Sequence, residues 1–226
     1  MAEETKPPQA SHTYVTLTFD HPVTNEEMKQ MQMQHRAIGT AHIVDLQASR
    51  PDWYHVDNGF TSRQAMDAQH GPLVDMGRDC LVDVRGHVLD LGCGNGALLD
   101  KICTDSKDLV PCGVDLNNVA LEHARQLFPR FAQNFERRDI FDPVIWSGTR
   151  RYELAILMAG RLREVEANKA AALLVSLAAH CNRLLLYVYP GWNGESLEDI
   201  ILQSALRFER SIAGVAGIVT NNVRPA

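Results

Sequence analysis

The chain has 226 residues, with 22 Lys and Arg against 28 Asp and Glu, a formal charge of −6. That balance argues against a protein that lives on nucleic-acid backbone, which carries a basic excess. A hydrophobic share of 45% with 22% charged residues excludes a disordered chain, and no apolar run reaches the roughly 20 residues that span a bilayer.

In chain order, residues 1–13 are polar and Pro-containing, with too little apolar content to pack, and are expected to be a disordered tail. They carry acids where a secretory leader carries bases, so the expected location is cytoplasmic, with no membrane partner. Residues 14–60 are expected to form an N-terminal extension acting as a lid or an oligomer contact. Within it, 14–19 alternates apolar and hydroxyl residues as a strand does. Thr24 and Glu27 make a capping box for a helix to about residue 36. Met28, Met31 and His35 share one face of that helix, a stripe suited to core or to a homodimer contact. Residues 41–46 read as another strand.

The third region, 61–226, carries the regular pattern. Strands are expected at 87–91, 110–115, 135–140, 153–158 and 183–189, with helices at 97–104, 118–128, 164–180 and 197–208. Such alternation is the mark of βαβ units and a parallel sheet. In the helix over 164–180, Ala171, Leu174, Val175 and Ala178 recur at the spacing of a sheet-facing stripe. Residues 211–220 suit either one bent strand or a tight hairpin around Gly214 and Gly217. The expected fold is α/β, Rossmann-like and doubly wound, with a mostly parallel sheet of seven strands or an abbreviated set.

Five cysteines without a C-x-x-C pair argue against a disulfide framework and a structural zinc site. Nine scattered histidines lack H-x3-H spacing, so no metal is expected.

The stretch that carries chemistry is Val88-Leu-Asp-Leu-Gly-Cys-Gly-Asn-Gly-Ala-Leu98. An apolar strand delivers Asp90, and the chain then passes Gly92, Gly94, Asn95 and Gly96 before a helix. Glycines permit backbone geometries closed to other residues and let a ligand approach the main chain. Gly92, Gly94 and Ala97 also satisfy dinucleotide spacing. A carboxylate two residues ahead of the first glycine, however, repels a pyrophosphate and attracts an ammonium.

This block resembles the first motif of class I S-adenosylmethionine (SAM)-dependent methyltransferases, and the order of the later acids fits the same family over about residues 84–189. The resemblance implies SAM as methyl donor, leaving as S-adenosylhomocysteine (SAH). It implies that Asp90 and the glycine loop hold the donor, that Asp115 takes both ribose hydroxyls beside Leu116, and that Asp139 and Ile140 meet the adenine. Met158 would stand at the methyl end. Arg63 is a candidate partner for the donor carboxylate.

Methyl transfer from a sulfonium is an in-line displacement, so holding the reactants in line and excluding water are the main protein contributions. A base is needed only when the acceptor must lose a proton; His55 and His70 are the candidates. The (Asn/Asp)-Pro-Pro-aromatic turn of amino-methylating family members is absent, which with the acidic charge disfavours nucleic acid and favours a small-molecule acceptor, such as an intermediate of specialised metabolism. Arg161, Tyr189 and Trp192 follow strand ends and suit an acceptor with a carboxylate or ring, or else simply cover the sheet. The alternatives are a protein or RNA methyltransferase and a non-catalytic SAM-binding regulator.

Overall fold

The computed structural model describes residues 50–189 apart from 147 and 149, together with 208–212 and 216–220. All of these belong to one compact unit. The elements expected at 14–19, 24–36 and 41–46, and the body of the helix at 197–208, lie outside the described residues.

A seven-stranded sheet organises the unit. Its strands are β1 (Gly86–Leu91), β2 (Leu109–Asp115), β3 (Phe135–Arg137), β4 (Tyr152–Met158), β5 (Cys181–Tyr187), β6 (Phe208–Ile212) and β7 (Ala216–Thr220), in the order β3-β2-β1-β4-β5-β7-β6. The first five run parallel. β6 and β7 form an antiparallel hairpin at the edge, so the closing segment is two strands rather than one bent strand. Gly217 pairs with Leu186 inside β7 and is not a turn residue.

Both faces are covered, which is why the central strands read as nearly continuous apolar runs. Val88, Leu154, Ile156 and Leu185 face α2 (Arg63–Cys80), α3 (Ala97–Cys103) and α4 (Asn118–Leu127). Leu89, Leu91, Leu157 and Leu186 face α5 (Ala167–His180). The period of two then places Asp90 on the same face as Val88, toward α2 and α3.

Several expectations need correction. The buried stripe of α5 is Leu173, Leu174 and Leu177 with Ala170 half-buried, one residue out of phase with the predicted one, and Val175 is 69% exposed. The leucines bury more apolar area than the alanines, and they set the phase. That helix starts at Ala167 because residues 159–164 make a 3-10 turn and Val165 is extended. β3 stops at Arg137, leaving Asp139 and Ile140 in the turn beyond it, where Asp139 accepts from the Phe141 N–H at 3.0 Å.

Residues 69–73 are helical despite Gly71-Pro72. Ser62 caps α2 by accepting from the Ala65 N–H, and the buried face of Met66, His70, Leu73, Val74 and Met76 carries the helix through the proline. Ahead of α2, the short helix α1 (Trp53–Val56) buries Tyr54 against Ala97 and Met66.

Candidate active site

The chain crosses from one half of the sheet to the other between β1 and β4, and a cavity of about 320 Å3 opens beyond the carboxyl ends of these strands. Open α/β sheets take their ligands at such a switch point. A larger cavity of about 450 Å3 under the opposite face, beside Leu89, Cys112 and Tyr152, shares no lining residue with it and does not reach the glycine loop.

β1 supplies the floor. Asp90 is 3% exposed and lines the cavity, and its carboxyl has no hydrogen-bond partner among the described residues. Burial first, and then the charge of Asp115, push it up to about 7. A buried carboxyl without a partner is costly, and a cation at this point would relieve it.

The loop after β1 is fixed by the backbone of β2. The Gly92 and Cys93 N–H groups both donate to the Val114 carbonyl, at 2.8 and 3.1 Å. The Gly94 N–H donates to one oxygen of Asp115 at 2.8 Å, and the Asn117 N–H to the other at 2.8 Å. Each Asp115 oxygen keeps a second lone pair for a ligand. Gly92 has φ +83 with nothing within 4 Å of a Cβ built there, so the main chain itself faces the cavity. At Gly94, φ is +51, and a Cβ would meet Asn58 Oδ1 at 2.6 Å.

That close approach exists because residues 53–58 lie across the loop. Asn95 is fully buried. Its amide nitrogen donates to the carbonyls of Trp53 and Tyr54 at 3.0 and 3.1 Å, and its oxygen accepts from Asn58 and from the Ala97 N–H at 2.6 and 3.1 Å. Nearby, Trp53 stacks on His123, which meets Asp57 at 2.5 Å. Asp57 and Asn58 also line the cavity.

The far wall comes from α2 and β5. His70, Tyr187 and Tyr189 line it, with Met158 after β4 and Arg161 beyond it. His70 contacts Lys101 through Nδ1 and Tyr189 through Nε2. Arg161 is partly exposed and bonds both oxygens of Glu164, at 2.9 and 3.1 Å.

Of the residues singled out in the sequence, Asp90, Gly92, Gly94, Asp115, Met158, His70, Arg161 and Tyr189 line this cavity. Asn95 and Gly96 sit behind the loop, where Asn95 spends its amide on the protein and Gly96 caps α3 with φ +78. Leu116, 59% exposed, lies past the end of β2, while Asp139 and Ile140 lie in the turn after β3, outside the cavity lining. Arg63 turns to the Arg50 carbonyl and Asp52, and His55 is half-buried away from the lining with Nδ1 unbonded. Trp192 is outside the described residues.

Sequence reasoning missed Asp57, Asn58, Asn117 and Tyr187. Asn117 was findable, since an Asn just before a helical run is an N-cap, and its side chain accepts from the Val119 and Ala120 N–H groups. Tyr187 was findable as the residue two before Tyr189 on a strand face.

No family model matches the chain, and no curated protein matches it. Solved structures do. One crystal structure of WbdD matches with a TM-score of 0.56 at 19% identity over 77% of this chain and 43% of that one. A structure described as the bifunctional kinase-methyltransferase WbdD gives 0.55 at 19% over 77% and 42%. The chain therefore spans less than half the length of these proteins. A TehB-like SAM-dependent methyltransferase from Corynebacterium glutamicum gives 0.51 at 15% identity, over 83% of this chain and 98% of that one. The likeness at these identities is one of fold, and the chain has the α/β fold of these methyltransferases.

Proposed function

We propose that this protein is a SAM-dependent methyltransferase that acts on a small-molecule acceptor in the cytoplasm. The observation that carries the proposal is the buried, unpartnered Asp90 carboxyl beside a glycine cradle at the switch point of the sheet. An electrophilic methyl on a sulfonium, with an ammonium on the same molecule, is what the donor would supply. Asp90 would meet that ammonium, an ion pair in a site from which water is largely excluded. Asp115 would accept from both ribose hydroxyls with the lone pairs that Gly94 and Asn117 leave free. Leu116, with Asp139 and Ile140, would hold the adenine, and the exposed side chain of Leu116 supports that role because it offers an apolar face that no described residue covers.

Met158, Tyr189 and Arg161 then mark the acceptor end of the cavity. A pyrophosphate-bearing donor fits less well, because Asp90, Asp115 and Asp57 together give the cavity a run of acids.

Titration calorimetry of the full chain with SAM tests the proposal. One site per chain, with SAH competing, is the expected result. Heat with NADH and none with SAM would overturn it.

A further inference from the structure

The far wall of the cavity holds a file of hydrogen-bonded side chains drawn from three elements. Lys101 on α3 has a side chain 1% exposed, and its ammonium lies 2.6 Å from Asp67 on α2 and 3.2 Å from His70 Nδ1. His70 Nε2 lies 3.3 Å from the Tyr189 hydroxyl, and the Tyr189 ring packs edge to face on Tyr187, centroids 5.3 Å apart. Phe60 sets its ring edge-on to both His70 and Tyr189, which fixes the two rings.

The direction of this file follows from counting protons. An ammonium donates and never accepts; burial lowers the Lys101 pKa, but the 2.6 Å ion pair with Asp67 holds it in that form, so His70 Nδ1 presents its lone pair. The imidazole proton then sits on Nε2 and is donated to Tyr189. Tyr187 and Tyr189 bring two phenolic protons side by side to the cavity wall. One O–H is left on the cavity wall with no acceptor among the described residues. Burial and the Lys101 charge hold the imidazole well below its usual range, and burial pushes the Tyr189 phenol up to about 12. The other charged groups near the imidazole are Asp67 behind Lys101 and Asp90 in the same cavity.

We infer that His70 is a positioning residue and not a base: through Nε2–H it aims the Tyr189–Tyr187 pair so that one O–H meets the methyl acceptor, and the accepting group is an oxyanion, a carboxylate or a phosphate monoester. The inference rests on the methyl-transfer reading above. An alcohol acceptor must lose a proton, and the one lone pair of His70, on Nδ1, is turned to Lys101 and away from the cavity. An oxyanion accepts the phenolic hydrogen bond with one lone pair and attacks with another; Arg161, which also lines the cavity, is paired with Glu164. In the step, the oxygen lone pair forms the C–O bond while the C–S bond breaks and its pair goes to sulfur. The anion becomes a neutral ester (or a phosphate one charge lower), the sulfonium becomes a thioether, and no proton is released.

Two measurements test this. Nitrogen-15 NMR of the labelled full chain is expected to show His70 as the Nε2–H tautomer, unchanged between about pH 5.5 and 8.5. A titrating imidazole or an Nδ1–H tautomer overturns the assignment. Calorimetry of the SAH-loaded protein then uses benzoate, phenyl phosphate and benzyl alcohol as probes. One anion is expected to bind and the alcohol not, with Tyr189→Phe lowering that anion's affinity about tenfold; which anion binds separates carboxylate from phosphate. Binding of the alcohol as tightly as the anions, or binding of neither anion to protein that holds SAH, overturns the oxyanion site. Failure of SAH itself to bind overturns the donor reading instead, and the NMR result still judges the file.

Discussion

Replacing Asp90 by Asn separates the energetic burden of this carboxyl from its use. The ordinary carboxyl value is 3.8 and the folded one is about 7, so the empty fold binds the proton more tightly than the unfolded chain does. Stability of the empty protein is therefore fully present below about pH 4, falls as pH rises and levels off above about pH 7. With each tenfold in proton binding worth about 1.4 kcal/mol, ionised Asp90 costs the empty fold roughly 4 kcal/mol above neutrality. About half of that is already incurred near pH 5.5. Asn has the same shape and no charge to bury. Asp90→Asn is expected to raise the stability of the empty protein, by about 2 kcal/mol more at pH 8 than at pH 5.5. In thermal melts that difference is about 4–8 °C for a chain of this length. The same variant is expected to lose about a hundredfold in SAM affinity by calorimetry, because the ammonium loses its partner. Equal destabilisation at both pH values, with SAM affinity intact, would refute the reasoning.

Other outcomes follow from the same geometry. Asn95→Ala removes three hydrogen bonds that join residues 53–58 to the loop and a fourth from the Ala97 N–H, and urea unfolding should show a loss of about 3 kcal/mol. Gly92→Ala and Gly94→Ala share a positive φ, but only the second drives a Cβ into Asn58; calorimetry should show SAM binding weakened far more by Gly94→Ala, with melting lowered by a further 1–3 kcal/mol equivalent, on the order of one overpacked contact. Lys101→Met leaves Asp67 without its buried partner and is expected to cost about 3–5 kcal/mol in urea unfolding.

The sheet and the glycine loop were legible because their signals are local. An apolar run, an acid and a glycine series lie within a dozen residues of Val88, and strand period fixes which face Asp90 takes. Asp115 was legible for the same reason. The α5 stripe was misplaced because alanine-rich helices offer two phases with similar patterns, and only the packed leucines choose between them. Gly71-Pro72 conceals a helix whose stability comes from the buried face of α2 rather than from local propensity. Residues 53–58 fall in the extension expected to act as a lid or an oligomer contact, but their anchoring was hidden. Asn95 reaches carbonyls some forty positions earlier, and a side chain bonded to distant backbone leaves no periodic trace. Lys101 and Asp100 side by side in an otherwise apolar helix were the one overlooked hint that buried charge pairs surround the cavity.

The Asn95 clasp has a consequence for how the cavity meets its ligand. Because the loop and residues 53–58 are pinned when the chain folds, the entropy of ordering them is lost during folding and not at the moment of encounter. A ligand arriving at the glycine loop meets a fixed mould. Its affinity should depend weakly on temperature-driven loosening of the loop, and a donor with a bulkier substituent against Gly94 is rejected outright, because Asn58 is not free to step aside.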